Sequence, residues 1–207
     1  MRLPTHQQRL ITLEPSLAQT SPSNLNSGFD VFAVANLLEG AVTEDGSRFV
    51  DLVERSPVLL VFLRHAGCTF CREALADIAQ SRTAIEADGN QIVLVYLGDR
   101  AEMDRVIRKY SVESLPRICD PGQHLYRAFG LKRGTLGQLV GPKVWLRAIT
   151  AGWFGGHGVS RPAADSAQMP GVFWIDKGMI AGRFRHQSAA DRPCYTEICK
   201  PAGKPTR

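Results

Sequence analysis

The chain has 207 residues, 44% of them hydrophobic and 22% charged, a composition that excludes wholesale disorder and suits one globular domain with a substantial core. No apolar run approaches the roughly 18 residues of a membrane span, and the N-terminus lacks the apolar stretch of a secretory signal, so a cytoplasmic protein is expected. The formal charge is +5, and all of the excess lies from Lys177 to Arg207, where seven basic residues face two acids. No cations run consecutively there, and only Phe184 and Tyr195 could stack on bases, so the segment reads as a solvated edge rather than a nucleic-acid surface.

Residues 1–28 are rich in Ser, Thr, Pro, Gln and Asn and read as a flexible N-terminal arm, with a domain over 29–200 and a tail over 201–207. An apolar stretch from Phe29 to Leu38 leads through a Gly46 turn to a short segment, Phe49 to Val53. Val58 to Leu63 are six apolar residues in succession, the mark of a strand buried on both faces, as in a parallel sheet. A helix follows, with Cys71, Leu75, Ile78 and Ala79 on one face and Gly89 as its stop. Ile92 to Leu97 repeat the buried-strand pattern, and Met103, Val106, Ile107 and Tyr110 take the i, i+3, i+4, i+7 spacing of an amphipathic helix. Asp120-Pro121-Gly122 is a turn that opens a brief helix carrying Leu125, Ala128 and Phe129. A further helix is expected between Pro142 and Ile149, then a long Gly-, Ser- and Pro-rich loop from Ala151 to Gln168. Val172 to Ile175 form a third buried strand, which turns at Asp176-Lys177-Gly178 into an antiparallel partner over 180–185. Asp191 to Lys200 closes the domain as a helix. This order predicts an α/β fold with a central mixed β-sheet flanked by helices.

Five cysteines carry the chemistry to be explained: Cys68, Cys71, Cys119, Cys194 and Cys199. The odd count and absent signal argue against a secreted disulfide framework. Cys68 and Cys71 form a C-x-x-C at the junction between the strongest strand and its helix. A thiol at a helix N-terminus meets the positive end of the macrodipole and unpaired backbone N–H groups, which favour its thiolate. Arg64, His65 and Arg72 add positive charge nearby. One turn further on, Cys71 lies within disulfide reach and is expected to be the more buried of the two. Cys68 therefore attacks and Cys71 resolves; the bland alternative is a pair of buried structural thiols.

Zinc is the competing chemistry, since Cys68, Cys71, Cys194 and Cys199 could supply four thiolates. The looser second spacing, on an expected helix, tells against it, and no metal is expected. No cofactor is expected either, because Gly152 to Gly158 follow a predicted helix and not a strand. Cys119, Cys194 and Cys199 read as small apolar or surface residues, and His157 and His186 as surface histidines. His65 alone is given a proton-handling role beside Cys68. Pro116 and Pro170 are the places for a cis-proline, and at Pro170 it would bring backbone beside the cysteines.

The strings FLRHAGCTFCREALADI (62–78), SLPRICDPGQHLYRAFGL (114–131) and MPGVFWIDKGMIAGRFRH (169–186) resemble the AhpC/TSA peroxiredoxin-like proteins, in particular the peroxiredoxin-like 2 branch. The resemblance implies a thioredoxin-like fold and a thiol-dependent antioxidant that reduces peroxides or disulfides. Its catalytic residues are then Cys68, Cys71 and His65, with Arg64, Thr69 and Pro170 positioning the substrate. It also implies a small peroxide or disulfide as substrate and an external thiol reductant of the thioredoxin or glutathione type. Two departures matter: His65 stands where such proteins carry a Thr, and Pro170 where they carry an Arg. Arg64, Arg117 or Arg185 could replace that charge. The departures open two other readings, a disulfide reductase without peroxidase activity and a non-catalytic thioredoxin-fold interaction module.

Overall fold

Val58 to Leu63 form the centre of the fold, as their unbroken apolar run predicts. The structure is a computed structural model that describes residues 38–135, 167–188 and 190–200. The predicted arm, the helix between Pro142 and Ile149, the tail, and all but the last two residues of the 151–168 loop lie outside the described residues.

The elements run α1 (Phe49–Arg55), β1 (Val58–Phe62), α2 (Thr69–Ala87), β2 (Gln91–Tyr96), α3 (Arg100–Lys109), β3 (Arg117–Cys119), α4 (His124–Ala128), β4 (Gly171–Asp176), β5 (Met179–Arg185) and α5 (Tyr195–Ile198). The five strands make one mixed sheet in the order β3-β2-β1-β4-β5. β1, β2 and β3 are parallel, joined by the crossovers through α2 and α3, while β4 runs antiparallel to both β1 and β5. Both faces are covered. Leu59, Val61, Val172 and Trp174 meet Leu75 and Ile78 of α2 on one side. Leu60, Phe62 and Phe173 meet Phe49 of α1 and Tyr126 of α4 on the other. This double burial is why the central strands are apolar at every position instead of alternating.

Local chemistry sets the ends of the elements. The Asp120 carboxylate accepts the backbone N–H groups of His124, Leu125 and Tyr126, so the Asp-Pro-Gly turn caps α4. Asp99 does the same for α3 through the N–H of Glu102 at 2.9 Å. Lys177 and Gly178 both have positive φ, 51° and 74°, the requirement of a tight type I′ hairpin turn between β4 and β5.

The structure adds two elements and corrects the extent of a third. Phe49 to Arg55 is a helix, too short at seven residues to show its period in the sequence. β3 went unread because it has only three residues and a single buried one, Ile118. The closing helix is confined to Tyr195–Ile198. Ahead of it Asp191 accepts the N–H groups of Gln187 and Ser188, which fixes a loop there, and Pro193 has no N–H for a helical bond.

Candidate active site

β1 ends at Phe62, and the chain makes one tight turn before α2 begins. Leu63 N–H still bonds the carbonyl of Val95, and the carbonyl of Arg64 accepts from Leu97 N–H, so the sheet ladder holds the backbone up to the turn. The Tyr126 hydroxyl donates to the Leu63 carbonyl from below and reaches the Val95 carbonyl at 3.2 Å. Cys68 N–H then bonds the His65 carbonyl at 3.0 Å, and Cys68 becomes the N-cap of α2 in an extended conformation. The predicted strand-to-helix placement of the cysteine pair is therefore the observed one.

Both thiols are free and nearly equally buried, at 6% and 5% exposure for Cys68 and Cys71, so the expected difference in depth is absent. Their surroundings divide them instead. The Cys71 thiol donates to Cys68 and does most to lower its pKa; against the cost of burial, the Arg64 guanidinium and the N–H groups of Cys71 and Phe70 also help, bringing it to about 6. Arg64 Nη1 lies 3.7 Å from Cys68 Sγ. The backbone N–H of the same residue donates to Cys71 Sγ at 3.1 Å. Burial, and then the neighbouring Cys68, push the Cys71 thiol well above its ordinary range. These surroundings favour the thiolate at Cys68 and the thiol at Cys71.

The remaining predicted residues separate. Arg64 is buried against both sulfurs. His65 is buried too, but burial and then Arg64 and Arg72 push its pKa down to about 4, so it is neutral near pH 7 and adds no charge to Cys68. Neither His65 nor Thr69, the first residue of α2, lines the cleft that opens over the cysteines. Pro170 does line it. No described peptide bond is cis, which corrects the expectation at Pro116 and Pro170; the pairing of Gly171 with Phe62 carries Pro170 to the end of β1 through a trans bond. Of the proposed replacement cations, Arg117 is engaged by Glu44 and Asp104, each at 3.1 Å. Arg185 donates to the Phe129 carbonyl and lies over Phe173 on the other sheet face. Arg64 alone of the three reaches the thiols.

The cleft over the cysteines is narrow and open to solvent. One wall is a face of α2, with Phe70, Glu73, Ala74 and Asp77 at i, i+3, i+4 and i+7. The opposite wall comes from the far end of the chain, through His186, Asp191, Arg192, Pro193 and Tyr195. Arg192 joins the two walls, with a two-pronged ion pair to Asp77 and a 3.6 Å contact to Glu73. His186 was read as a surface residue, but it lines the cleft with Cys68 and Pro170. Burial pushes its pKa down to about 4, against Asp191 and the backbone carbonyls of Pro170 and Asp191, which face the ring. The signal for this wall was the register of the hairpin, which no local pattern around His186 or Arg192 carries.

The other cysteines lie apart from the cleft. Cys119 Sγ donates to the Gly98 carbonyl at 3.6 Å, Cys194 is exposed, and burial pushes Cys199 up to about 12. Among the described residues no three His, Cys, Asp or Glu side chains gather as metal ligands, and no helix is long and apolar enough to cross a membrane.

The AhpC/TSA family model matches residues 38–182. The chain is 27% identical over 175 residues to prostamide/prostaglandin F synthase of Danio rerio, with 82% of this chain and 85% of that protein covered. It is similar in structure to peroxiredoxin Q of Xanthomonas campestris, with a TM-score of 0.51, 14% identity, and 72% and 81% of the two chains covered. A second solved relative is peroxidoxin BcpB of Mycobacterium tuberculosis, with a TM-score of 0.50, 15% identity, and 72% and 82% covered. At such identities the solved structures speak to the thioredoxin-like fold.

Proposed function

We propose that this chain, which belongs to the AhpC/TSA family, is a dithiol reductase in which Cys68 attacks a peroxide or a disulfide and Cys71 resolves the product. The observation that carries the reading is the unequal pair: a buried Cys68 with its pKa lowered to about 6, beside a Cys71 kept protonated. With a peroxide, an S–O bond forms at Cys68, the O–O bond breaks, and the departing oxygen takes a proton and leaves as alcohol or water. Cys71 then attacks the Cys68 sulfenic acid, loses its proton and expels water, which leaves a Cys68–Cys71 disulfide. With a disulfide substrate the first product is a mixed disulfide, and Cys71 releases the second thiol. In either case two electrons must return from an external thiol of the thioredoxin or glutathione type. Arg64 holds the Cys68 thiolate and faces whatever it attacks.

Disulfide exchange without peroxidase activity is favoured by one observation, the apolar Pro170 in the cleft where related peroxidases carry a cation. The interaction-module reading requires an ordinary Cys68, and the surroundings of this thiol weigh against it. One equivalent of hydrogen peroxide added to the reduced protein, quenched with alkylating reagent and mapped by peptide mass spectrometry, tests the proposal. A Cys68–Cys71 disulfide that forms fast and is lost in Cys68→Ser supports it. Thiols that stay reduced both with peroxide and in a glutathione redox buffer overturn it.

A further inference from the structure

Both sulfurs are buried, yet each must meet a partner from outside. The wall that faces α2 across them is the segment after β5, with Asp191, Arg192 and Pro193 on the cleft. Tyr195 seats the far end of this segment in the core cluster that holds both cysteines.

The wall is built on itself. Asp191 accepts the N–H groups of Gln187 and Ser188, and its own N–H donates to the Ser188 carbonyl at 3.2 Å. Ala190 N–H donates to the Ser188 hydroxyl at 3.1 Å. Among the described residues, no backbone–backbone hydrogen bond ties 187–193 to α2 or to the sheet. The polar tie to α2 is Arg192, whose half-exposed side chain bonds both oxygens of the Asp77 carboxylate and lies 3.6 Å from Glu73. Those two acids stand four residues apart on a 19-residue helix, so the guanidinium pins the wall to one turn of a rigid element. The width of the cleft is set by that pin. Thiol–disulfide exchange needs the attacking sulfur to reach the attacked one, so its rate depends on access as well as on pKa. A small thiol enters such a cleft with its sulfur leading, whereas a folded protein must seat its own backbone where the pinned wall stands.

We propose that Arg192 is a specificity determinant of the dithiol site: by holding 187–193 against α2 it reserves reduction of the oxidised pair for a low-molecular-weight thiol of the glutathione class and excludes a folded reductant such as thioredoxin. This inference rests on the reading of Cys68 and Cys71 given above. One small thiol attacks Cys71, the Cys68–Cys71 bond breaks, and Cys68 departs as thiolate. A second attacks the sulfur of the first and carries it away as a small disulfide, while Cys71 recovers a proton. The two thiols supply two electrons, and their other proton goes to solvent.

The test oxidises the protein with oxidised glutathione, removes the small molecules, and follows reduction of the Cys68–Cys71 disulfide by alkylation and mass spectrometry. The reductants are glutathione, and thioredoxin recycled by its reductase, at equal thiol concentration. In the unmodified protein thioredoxin is expected to be no faster than glutathione. Arg192→Met, which keeps the aliphatic stem, should raise the thioredoxin-to-glutathione rate ratio about tenfold, as for release of a charge-assisted pair that favours the closed wall. Asp77→Asn should move the ratio in the same direction, and the double variant should go no further than Arg192→Met, since both changes remove one pair. A disulfide that thioredoxin reduces faster than glutathione in the unmodified protein overturns the proposal and leaves the dithiol reading standing. So does an unchanged ratio in Arg192→Met, whether neither rate moves or both rise together as the fold loosens. Failure of the unmodified protein to form the Cys68–Cys71 disulfide at all brings down the dithiol reading, and this inference with it.

Discussion

Removing the Cys71 side chain tests the origin of the Cys68 thiolate more directly than removing Cys68. The Cys71 thiol is the largest contributor to the low pKa, ahead of Arg64 and the helix N–H groups. A hydrogen bond to a charged group is worth about 1.5–3 kcal/mol, and one pKa unit is about 1.4 kcal/mol. Cys71→Ala should therefore raise the Cys68 pKa by about one to two units, from about 6 to about 7–8. The thiolate fraction at pH 7 then falls from about nine-tenths to somewhere between a half and a tenth, and alkylation slows by about two- to tenfold. Cys71→Ser keeps an O–H donor in the same place, and its Cys68 should stay at least half ionised at pH 7. The rate of iodoacetamide alkylation against pH, followed in the reduced proteins, gives both inflections. An inflection that remains near 6 in Cys71→Ala would refute the reasoning, because Arg64 and the first turn of α2 would then hold the charge alone. Equal shifts in the Ala and Ser variants would also refute it.

The reduced protein should become more stable as pH rises from 6 to 9, because across that window the unfolded Cys68, with its ordinary pKa of 9.0, holds a proton that the folded one has released. The gain is on the order of 2–4 kcal/mol, present in full above pH 9 and lost as pH falls through 6; urea midpoints that rise as steeply in Cys68→Ser would contradict it. Below that window His65 and His186, both held neutral down to about 4, should erode stability further as the unfolded histidines charge from 6.5 downward, a slope that urea midpoints of a variant lacking both rings should lack. Arg192→Ala leaves the Asp77 carboxylate, 10% exposed, without its cation and should cost about 1–3 kcal/mol in urea unfolding. Asp77→Asn in the same chain should recover most of that loss, and an additive penalty would exclude the ion pair as its cause. Asp120→Ala removes three capping hydrogen bonds from α4 and should cost about 1–2 kcal/mol, with Asp120→Asn retaining much of the stability; equal losses in the two would mean the carboxylate position is not the cap.

The half of the site that follows β1 was legible in the sequence because local signals coincide there. An unbroken apolar run fixes the central strand, a helical period begins at Cys71, and the spacing of the cysteines places both at the first turn. Asp120-Pro121-Gly122 and Asp176-Lys177-Gly178 were legible for the same reason, since turn chemistry is written in adjacent residues. The wall carrying His186, Arg192 and Tyr195 was not. Its position follows from the pairing of β1 with β4, which spans more than a hundred residues, and from the β4–β5 hairpin that this pairing carries to the site. The basic excess near the C-terminus was visible, but not that Arg192 spends its charge on two acids of α2. His65 misled in the opposite way: proximity in sequence to Cys68 suggested a charge, and burial between two arginines removes it.

The low pKa of Cys68 accounts for less catalysis than it first suggests. Lowering the pKa from 9.0 to about 6 raises the thiolate fraction at pH 7 from about 1% to about 90%. A less basic thiolate is also a weaker nucleophile, and with a Brønsted slope of about 0.4–0.5 in thiol–disulfide exchange, three units cost about 15- to 30-fold. The net gain in attack on a disulfide is only about three- to sixfold. The larger return comes on departure, because a thiol attacking Cys71 of the oxidised pair expels the stable Cys68 thiolate, whereas attack on Cys68 must expel the poorly ionising Cys71. In the proposed cycle the unequal pair thus speeds return to the reduced state more than it speeds the first attack. Acceleration of that attack must come from groups that touch the substrate, and Arg64 lies beside Cys68 in this cleft.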